Sequence, residues 1–544
     1  MNKENPVYIM PENIQRTIGR DAQRNNILAA KLVADSVKTT LGPKGMDKML
    51  VDSANNIVIT NDGVTILEEM EMEHPAAKMM VDIAKTQENE VGDGTTTAVV
   101  LAGKLLENAE RLLDKKIHPT VIIKGYKLAS KESERILNEL SRNMTSDQQN
   151  TLKYVAMTAM TGKGAETAKE KLAELIVGAI AQIGEKEEEG IDVDLEDIKI
   201  EKVKGDGIEN SELIKGVILD KEKVSIDMPS HIENANIALL DFPLEIKNPE
   251  AEAKISVSNP EQLQGFIDRE EKILKELTNK IIESGANVVF CQKGIDDIAQ
   301  YYLAKAGIYA CRRIAKSDMN KLSRATGGKI ISSLSELKTQ ELGKAEKVKE
   351  VRRGDDKMTY VEGCENPKAV SILIRGGTEH VIDEVERAVM DGLGDVANVL
   401  KTGKVVAGAG AVEVELAKRL REYSTSLQGR EQLAVSEFAN ALESIPEALA
   451  ENAGLDPIDI LTELKSRHEN NEMNAGINIL NNRVEDSLEA GIIEPLKIKT
   501  QAISSASEVS MMILRIDDVL AASNNEKNNP GMNLSRLAGE QEEI

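Results

Sequence analysis

The chain has 544 residues, enough for roughly three or four domains at about 150 residues each. Its 92 Asp and Glu against 68 Lys and Arg leave a net charge of −24, which repels nucleic acid and anionic membrane surfaces and excludes both as default partners. No apolar run approaches the roughly 18 residues that span a bilayer, the start Met1 to Met10 lacks the apolar stretch of a secretory signal, and three scattered cysteines (Cys291, Cys311, Cys364) suit neither a disulfide framework nor a zinc site, so a large, soluble, cytosolic protein is expected.

The spacing of Ile27, Leu28, Leu32, Val33 and Val37 predicts a helix over Asp21 to Leu41, ended by Gly42-Pro43. Met49 to Val51 and Ile57 to Ile59 flank the polar stretch Asp52 to Asn56 as a hairpin. A second helix is expected over Thr95 to Leu113, with a stripe of Ala98, Leu101, Ala102, Leu105, Ala109 and Leu112. After the acidic run Glu185 to Glu189 come β-type runs at Ile198 to Val203, Ile237 to Asp241, Asn287 to Cys291 and Ile308 to Cys311. They alternate with helices such as Glu261 to Glu283, which predicts an α/β module in mid-chain. Val370 to Arg375 reads as its last strand or the first of the next module. Helices return from Val405 onward, including Glu431 to Asn452. The economical fold makes one helical domain from both chain ends, with the middle inserted. The last residues, from Ser523, have too little apolar content to pack.

Two Asp-Gly-x-Thr elements carry the chemistry: Asp62-Gly63-Val64-Thr65 and Asp93-Gly94-Thr95-Thr96, the second extended by Thr97. Glycines before a helix start, followed by three hydroxyls, suit phosphate, because the first N–H groups of a helix have no intrahelical acceptor. A carboxylate beside phosphate needs a bridging cation, so Asp93 reads as a Mg²⁺ ligand. The same residues also suit a plain Asp N-cap. There is no G-x-x-x-x-G-K-[ST] P-loop, no kinase catalytic loop and no H-E-x-x-H, and the five histidines stand alone. Thr161-Gly162-Lys163-Gly164 places a cation between flexible residues. Gly408-Ala409-Gly410-Ala411 lies between the strand Val405-Val406 and a helix from Val412 to Leu420. Asp391 follows a helix expected over Glu384 to Met390, with Asp395 close by.

Leu41 to Asp47, Asn61 to Leu67, Gly92 to Thr97, Gly408 to Glu413 and Glu494-Pro495 together resemble the signature of the group II chaperonins, the thermosome and TCP-1 family, in order from about Val7 to Leu520. The resemblance implies a multidomain α+β subunit with a helical equatorial ATPase domain (1–147 and 404–522), a small intermediate domain (148–216 and 369–403) and an inserted α/β apical domain (217–368). A helical lid protrusion is implied at about 243–272, and a disordered tail at 523–544. It implies that Leu41, Gly42 and Pro43 contact ATP or ADP, that Gly94, Thr95, Thr96 and Thr97 bind phosphates and that Asp93 holds Mg²⁺. Gly162 and Lys163 would reach the γ-phosphate, and Gly408, Gly410, Asn478, Glu494 and Lys499 would line the nucleoside side. Asp62 and Asp391 would position and activate the attacking water, with K⁺ as activating ion. The implied partners are unfolded polypeptides and further subunits, about eight in each of two stacked closed rings, with no separate lid co-chaperonin. The implied activity is ATP hydrolysis driving closure of a folding chamber.

The sequence departs from the family at Ala409, where a glycine is usual, at Gly392, where Ala commonly follows the catalytic Asp, and in a tail without Gly/Met repeats. The hairpin at Met49 to Thr60 is expected to pair with a neighbouring subunit's terminal strands, near Tyr8 to Met10 and Met511 to Ile516. A phosphotransferase acting on a small metabolite would need an acceptor pocket with its own base, which the motifs do not contain. A holdase or structural ring with little ATPase activity is the remaining alternative, and the intact Asp62, Asp93 and Asp391 argue against it.

Overall fold

The computed structural model describes residues 14–51, 55–70, 72–144, 148–187, 190–246, 260–353 and 356–522. The first part is built of helices α1 (Arg20–Lys38), α2 (Gly63–Glu69), α3 (Pro75–Val91), α4 (Thr95–Asp114) and α5 (Pro119–Leu140). The apolar stripe of α4 is buried against α1, and Gly103 sits so close to Ala34 that a Cβ there would come within 2.3 Å of it. Small residues are what let these helices approach. Two of the lone histidines start helices: His74 and His118 each accept the N–H two residues on, from Ala76 and Thr120, ahead of a proline in the first turn. The hairpin pairs Lys48–Val51 with Ile57–Thr60, and Met49, Val51 and Ile57 are exposed.

A second core is formed by α6 (Gln148–Met160), α7 (Lys169–Ile183) and strands of a small sheet. Among the described residues this sheet has three strands, with the fully buried Val370–Gly376 in the centre, parallel to Ile198–Lys204 and antiparallel to Glu212–Ile214. Ile198 to Val203, read from the sequence as part of the central α/β run, therefore belongs here. Its buried partner strand lies far along the chain, and local pattern could not name it.

The inserted sheet has seven strands among the described residues, in the order Tyr309–Cys311, Val288–Cys291, His231–Leu240, Gly343–Arg353, Asp356–Glu362 and Gly216–Leu219, with Ile330–Ile331 paired to His231–Leu240. Helices α8 (Pro260–Glu283), α9 (Asp297–Lys305) and α10 (Lys316–Thr326) accompany it, and separate cores lie on its two faces. The later half of α8 buries Leu274 and Ile281 in one of them. The side chains of Leu263, Phe266 and Ile267, and residues 247–259 of the expected protrusion, lie outside the described residues, as do Tyr8 to Met10 and the tail.

Helix α11 (Glu379–Thr402) runs straight through Asp391, which the sequence had placed beyond a helix end. Gly392 does not interrupt it: its bare Cα faces the Ile176 side chain, and a Cβ would stand 2.7 Å from Ile176 Cδ1. The chain then returns to the first core with α12 (Ala411–Ser426), α13 (Glu431–Leu442), α14 (Ser444–Asn452), α15 (Pro457–Glu469) and α16 (Leu496–Arg515). The single helix expected over Glu431 to Asn452 is divided at Glu443, because Pro446 has no N–H and its ring clashes with the carbonyl a turn earlier. Met511 to Arg515 is helical rather than a strand. The terminal strand is Asp518–Ala522, and it pairs antiparallel with Ile14–Ile18 of the same chain, clamped by Arg16 and Asp518 at 2.6 Å.

Candidate functional site

Where the first core meets the second, a cavity of about 320 Å³ opens. One wall is the start of α4. Gly94 caps that helix at φ 79, and a Cβ there would stand 2.7 Å from Ile498 Cγ2 and 3.1 Å from Gln87 Nε2. Gln87 in turn donates to the Asp93 carbonyl at 2.8 Å and holds the turn. The first N–H groups of α4, at Thr95, Thr96 and Thr97, face the cavity without intrahelical acceptors. Asp62 caps α2, its Oδ2 accepting from the Thr65 N–H at 2.9 Å and the Thr65 hydroxyl at 2.7 Å, and it too lines the cavity. Both Asp-Gly-x-Thr elements therefore present helix starts to one space.

Leu41, Gly42 and Pro43 form the next wall, held by Asn452 Nδ2 on the Leu41 carbonyl at 2.8 Å. The turn carrying Lys163 stacks directly on them: a Cβ at Gly162 would come within 2.8 Å of Pro43 Cα and 2.9 Å of the Gly42 carbonyl oxygen. Asn61 Nδ2 ties the same turn down by donating to the Gly162 carbonyl at 2.6 Å. Lys163 Nζ reaches Asp93 Oδ1 at 3.2 Å and also contacts Asp391 Oδ2, on α11. The lysine thereby joins residues from three separate stretches of chain.

Another part of the lining is apolar. Ile445, Leu449, Ile477 and Ile479 supply apolar surface, and Glu494 and Lys499 are polar groups beside it. Lys499 Nζ lies 2.7 Å from Glu494 Oε2 and 2.8 Å from Glu413 Oε1, with all three side chains largely buried. Gly410 lines the cavity, whereas Gly408 stands behind the wall, where a Cβ would come within 2.7 Å of Glu494 Oε1. Asn478 lines it as well, but its amide is engaged: Oδ1 accepts from the Leu480 and Asn481 N–H groups at 3.1 Å and Nδ2 donates to Glu485. Ala409 adopts φ 58, the left-handed region that a glycine would enter freely.

Charge around Lys163 is unbalanced. Burial works against the Lys163 ammonium, but Asp391, Asp93 and Asp62 outweigh it and hold its pKa well above that of a free lysine. Burial, with Asp62 and Asp93 adding to it, pushes Glu88 up to about 7. Burial also pushes Asp395 far above the usual carboxylate range, reinforced by Asp93 and Asp391 against Lys163. One ammonium faces several carboxylates, which suits a site completed by a cation. Among the described residues no cluster of three or more His, Cys, Asp or Glu is preformed for a metal. Mg²⁺ is commonly held by one or two carboxylates with substrate phosphates and water, and Asp93 lines this wall.

Comparison with known proteins then decides the family. The TCP-1/cpn60 chaperonin family matches residues 33–524. The chain belongs to that family. A thermosome subunit of Methanopyrus kandleri is 58% identical over 95% of this chain and 95% of its own length. The thermosome subunit beta of Archaeoglobus fulgidus is 57% identical over 97% of this chain and 96% of its own. Among solved structures, the open state monomer of a group II chaperonin from Methanococcoides burtonii matches with a TM-score of 0.58 at 50% identity, covering 78% of this chain and all of that one. The chain is a group II chaperonin subunit, with the multidomain α+β fold of that family.

Of the residues expected to bind nucleotide or metal or to act in catalysis, Asp391 and Gly408 alone are not on the cavity wall, and Asp391 reaches the site through Lys163. Asn61, Glu88 and Glu413 have no role in the sequence reading, and Asp395 enters it only as a neighbour of Asp391. Asn61 and Glu413 stood inside the quoted motifs and could have been found there. Glu88 and Asp395 carried no local signal.

Proposed function

We propose that this chaperonin binds ATP in the cavity and hydrolyses it, and that the cycle drives closure of a chamber that encloses unfolded polypeptides. The carrying observation is the meeting of a free helix start, Thr95 to Thr97, with Lys163 and Asp391 from the second core. In this reading the N–H groups and hydroxyls of Thr95, Thr96 and Thr97 bind phosphate oxygens, with the backbone at Gly94 allowing close approach. Leu41, Gly42, Pro43 and Gly162 close the phosphate side. Gly408, Gly410, Asn478, Glu494 and Lys499 shape the nucleoside side. Asp93 would hold Mg²⁺, which when bound neutralises phosphate charge, and K⁺ is the proposed activating ion.

Lys163 is bound by Asp93 and Asp391 here. A γ-phosphate would compete for it and leave Asp391 free. Asp391, with Asp62, would then orient the attacking water and take its proton as the bond to the γ-phosphorus forms, giving ADP and phosphate. Because Asp391 rides on α11, in a core apart from α4, hydrolysis would require the two cores to be docked, which makes catalysis depend on closure.

The exposed apolar hairpin residues Met49, Val51 and Ile57 support assembly through strand pairing with the Ile14–Ile18 and Asp518–Ala522 ribbon of a neighbouring subunit, in two stacked rings of about eight. The lid would come from the 243–272 region without a separate co-chaperonin. A cytoplasmic site of action is proposed from the likeness to the thermosome subunits. Among the described residues no helix is long and apolar enough to cross a membrane. Native mass together with ATP turnover tests the reading: a ring-sized particle whose turnover requires Mg²⁺ and rises with K⁺ supports it. A ring without turnover would point to a holdase, and a monomeric ATPase would overturn the chamber.

A further inference from the structure

Asp391 and Asp395 lie one turn apart on α11 and share a face. Asp391 has Lys163. Asp395 is only 2% exposed, and its Oδ1 is buried without a hydrogen-bond partner among the described residues. It lines the same cavity as Asp93. Two contacts press this face of α11 into the turn Val91 to Gly94. Asn398 Nδ2 donates to the Val91 carbonyl at 2.8 Å, and Gly394 lies so close that a Cβ would stand 3.3 Å from that oxygen and 3.5 Å from Gly92 Cα. A larger residue at 394 would lift the helix and withdraw Asp395.

A buried acid with an open oxygen either stays neutral or is completed by a ligand that favours its ionised form. The charged groups facing it are Asp93, Asp391 and Glu494 against Lys163, whose ammonium is already held by Asp93 and Asp391. The missing partner is therefore a cation or a group polarised by one. We infer that Asp395 is a further carboxylate for the divalent cation that enters with the nucleotide, accepting hydrogen bonds from the water bound to that cation. This rests on the nucleotide reading of the cavity. It adds that the cation is gripped from two sides, by Asp93 on the first core and by Asp395 on α11. Cation binding and docking of that helix then favour each other. Outer-sphere partners of this kind typically contribute 10–100-fold to metal affinity.

The test is Mn²⁺ binding to the full-length protein in saturating ADP, read from the loss of the free-ion electron paramagnetic resonance signal. ADP affinity in EDTA and metal-free thermal unfolding are measured alongside. Asp395→Val should weaken Mn²⁺ binding about 10–100-fold. It should leave ADP affinity in EDTA unchanged and should not lower the metal-free melting temperature, since it removes an unpaired buried acid. Asp395→Asn, nearly the same shape, covers the case in which the valine variant does not fold, and it should show the same loss in the same direction. Mn²⁺ affinity within twofold of the native protein would overturn the inference, and so would an equal loss of ADP affinity in EDTA. If the native protein binds neither ADP nor Mn²⁺, it is the nucleotide reading of the cavity that fails.

Discussion

The cavity is flanked by two buried lysines, each between two carboxylates, and the two arrangements differ in what they are attached to. In one, Lys499 lies on α16, Glu413 on α12 and Glu494 in the strand Ile493–Pro495, all from the last part of the chain. In the other, Lys163 follows α6, Asp93 precedes α4 and Asp391 lies on α11, so the contacts bridge the first and second cores. The first triad cannot come apart without unfolding its neighbours. The second can be opened by a ligand that competes for the lysine. The same residue types thus serve as a fixed support in one place and an exchangeable contact in the other, according to the cores they join.

The largest effect should come from breaking the exchangeable side. Asp391→Ala should lower ATP turnover about 10²–10⁴-fold while leaving ATP binding and the melting temperature close to native values. Steady-state turnover with equilibrium binding measures both, and near-native turnover would remove Asp391 from the mechanism. The fixed side should respond in the opposite way. Lys499→Met strands two buried carboxylates and should destabilise the fold by about 3–5 kcal/mol in urea titration. A variant of native stability would mean that Lys499 is no support.

Acid–base linkage sharpens the contrast. Glu88, beside the surplus carboxylates, has its pKa pushed from 4.5 to about 7 by burial first and by Asp62 and Asp93 next. Between those values the folded state holds more proton than the unfolded chain, so native stability declines as pH rises through this window. Glu88→Gln abolishes that loss. Its advantage over the native protein in urea titrations should grow from near zero at pH 4 to on the order of 2–3 kcal/mol at pH 8. A pH-independent difference would contradict the assignment. The smallest effect belongs to Ala409: Ala409→Gly should gain about 1 kcal/mol by relieving the left-handed backbone, with nucleotide affinity unchanged. Calorimetry of the two proteins decides it, and a loss of stability would show that φ 58 is not strained.

Local rules made much of this legible in the residues alone. A helix beginning at Thr95 follows from the glycines before it and the apolar stripe after it. The turn at Gly42-Pro43 and the hairpin of Met49 to Ile59 follow from equally local chemistry. The motifs that resemble the chaperonin signature carried the cavity-lining residues because backbone approach to a ligand requires specific small residues in sequence order.

Where local signals competed, only the tertiary structure decided. Met511 to Ile516 is apolar enough for a strand or a helix, and packing of α16 against α3, α4 and α5 settles it as a helix up to Arg515. Ile198 to Val203 has a strand pattern but no local indication of which sheet it enters, and the distant Val370–Gly376 decides that. Asp395 shows the limit most clearly. In sequence it is one more acidic residue on a helix, and most such residues are solvated. Its burial comes from Gly394 and Asn398 pressing α11 onto the turn at Gly92, residues brought together from opposite parts of the chain. The types and local shapes of the site were written in sequence, because turns and helix starts are short-range. The charge balance of the site was not, because burial and pairing depend on which distant surfaces meet.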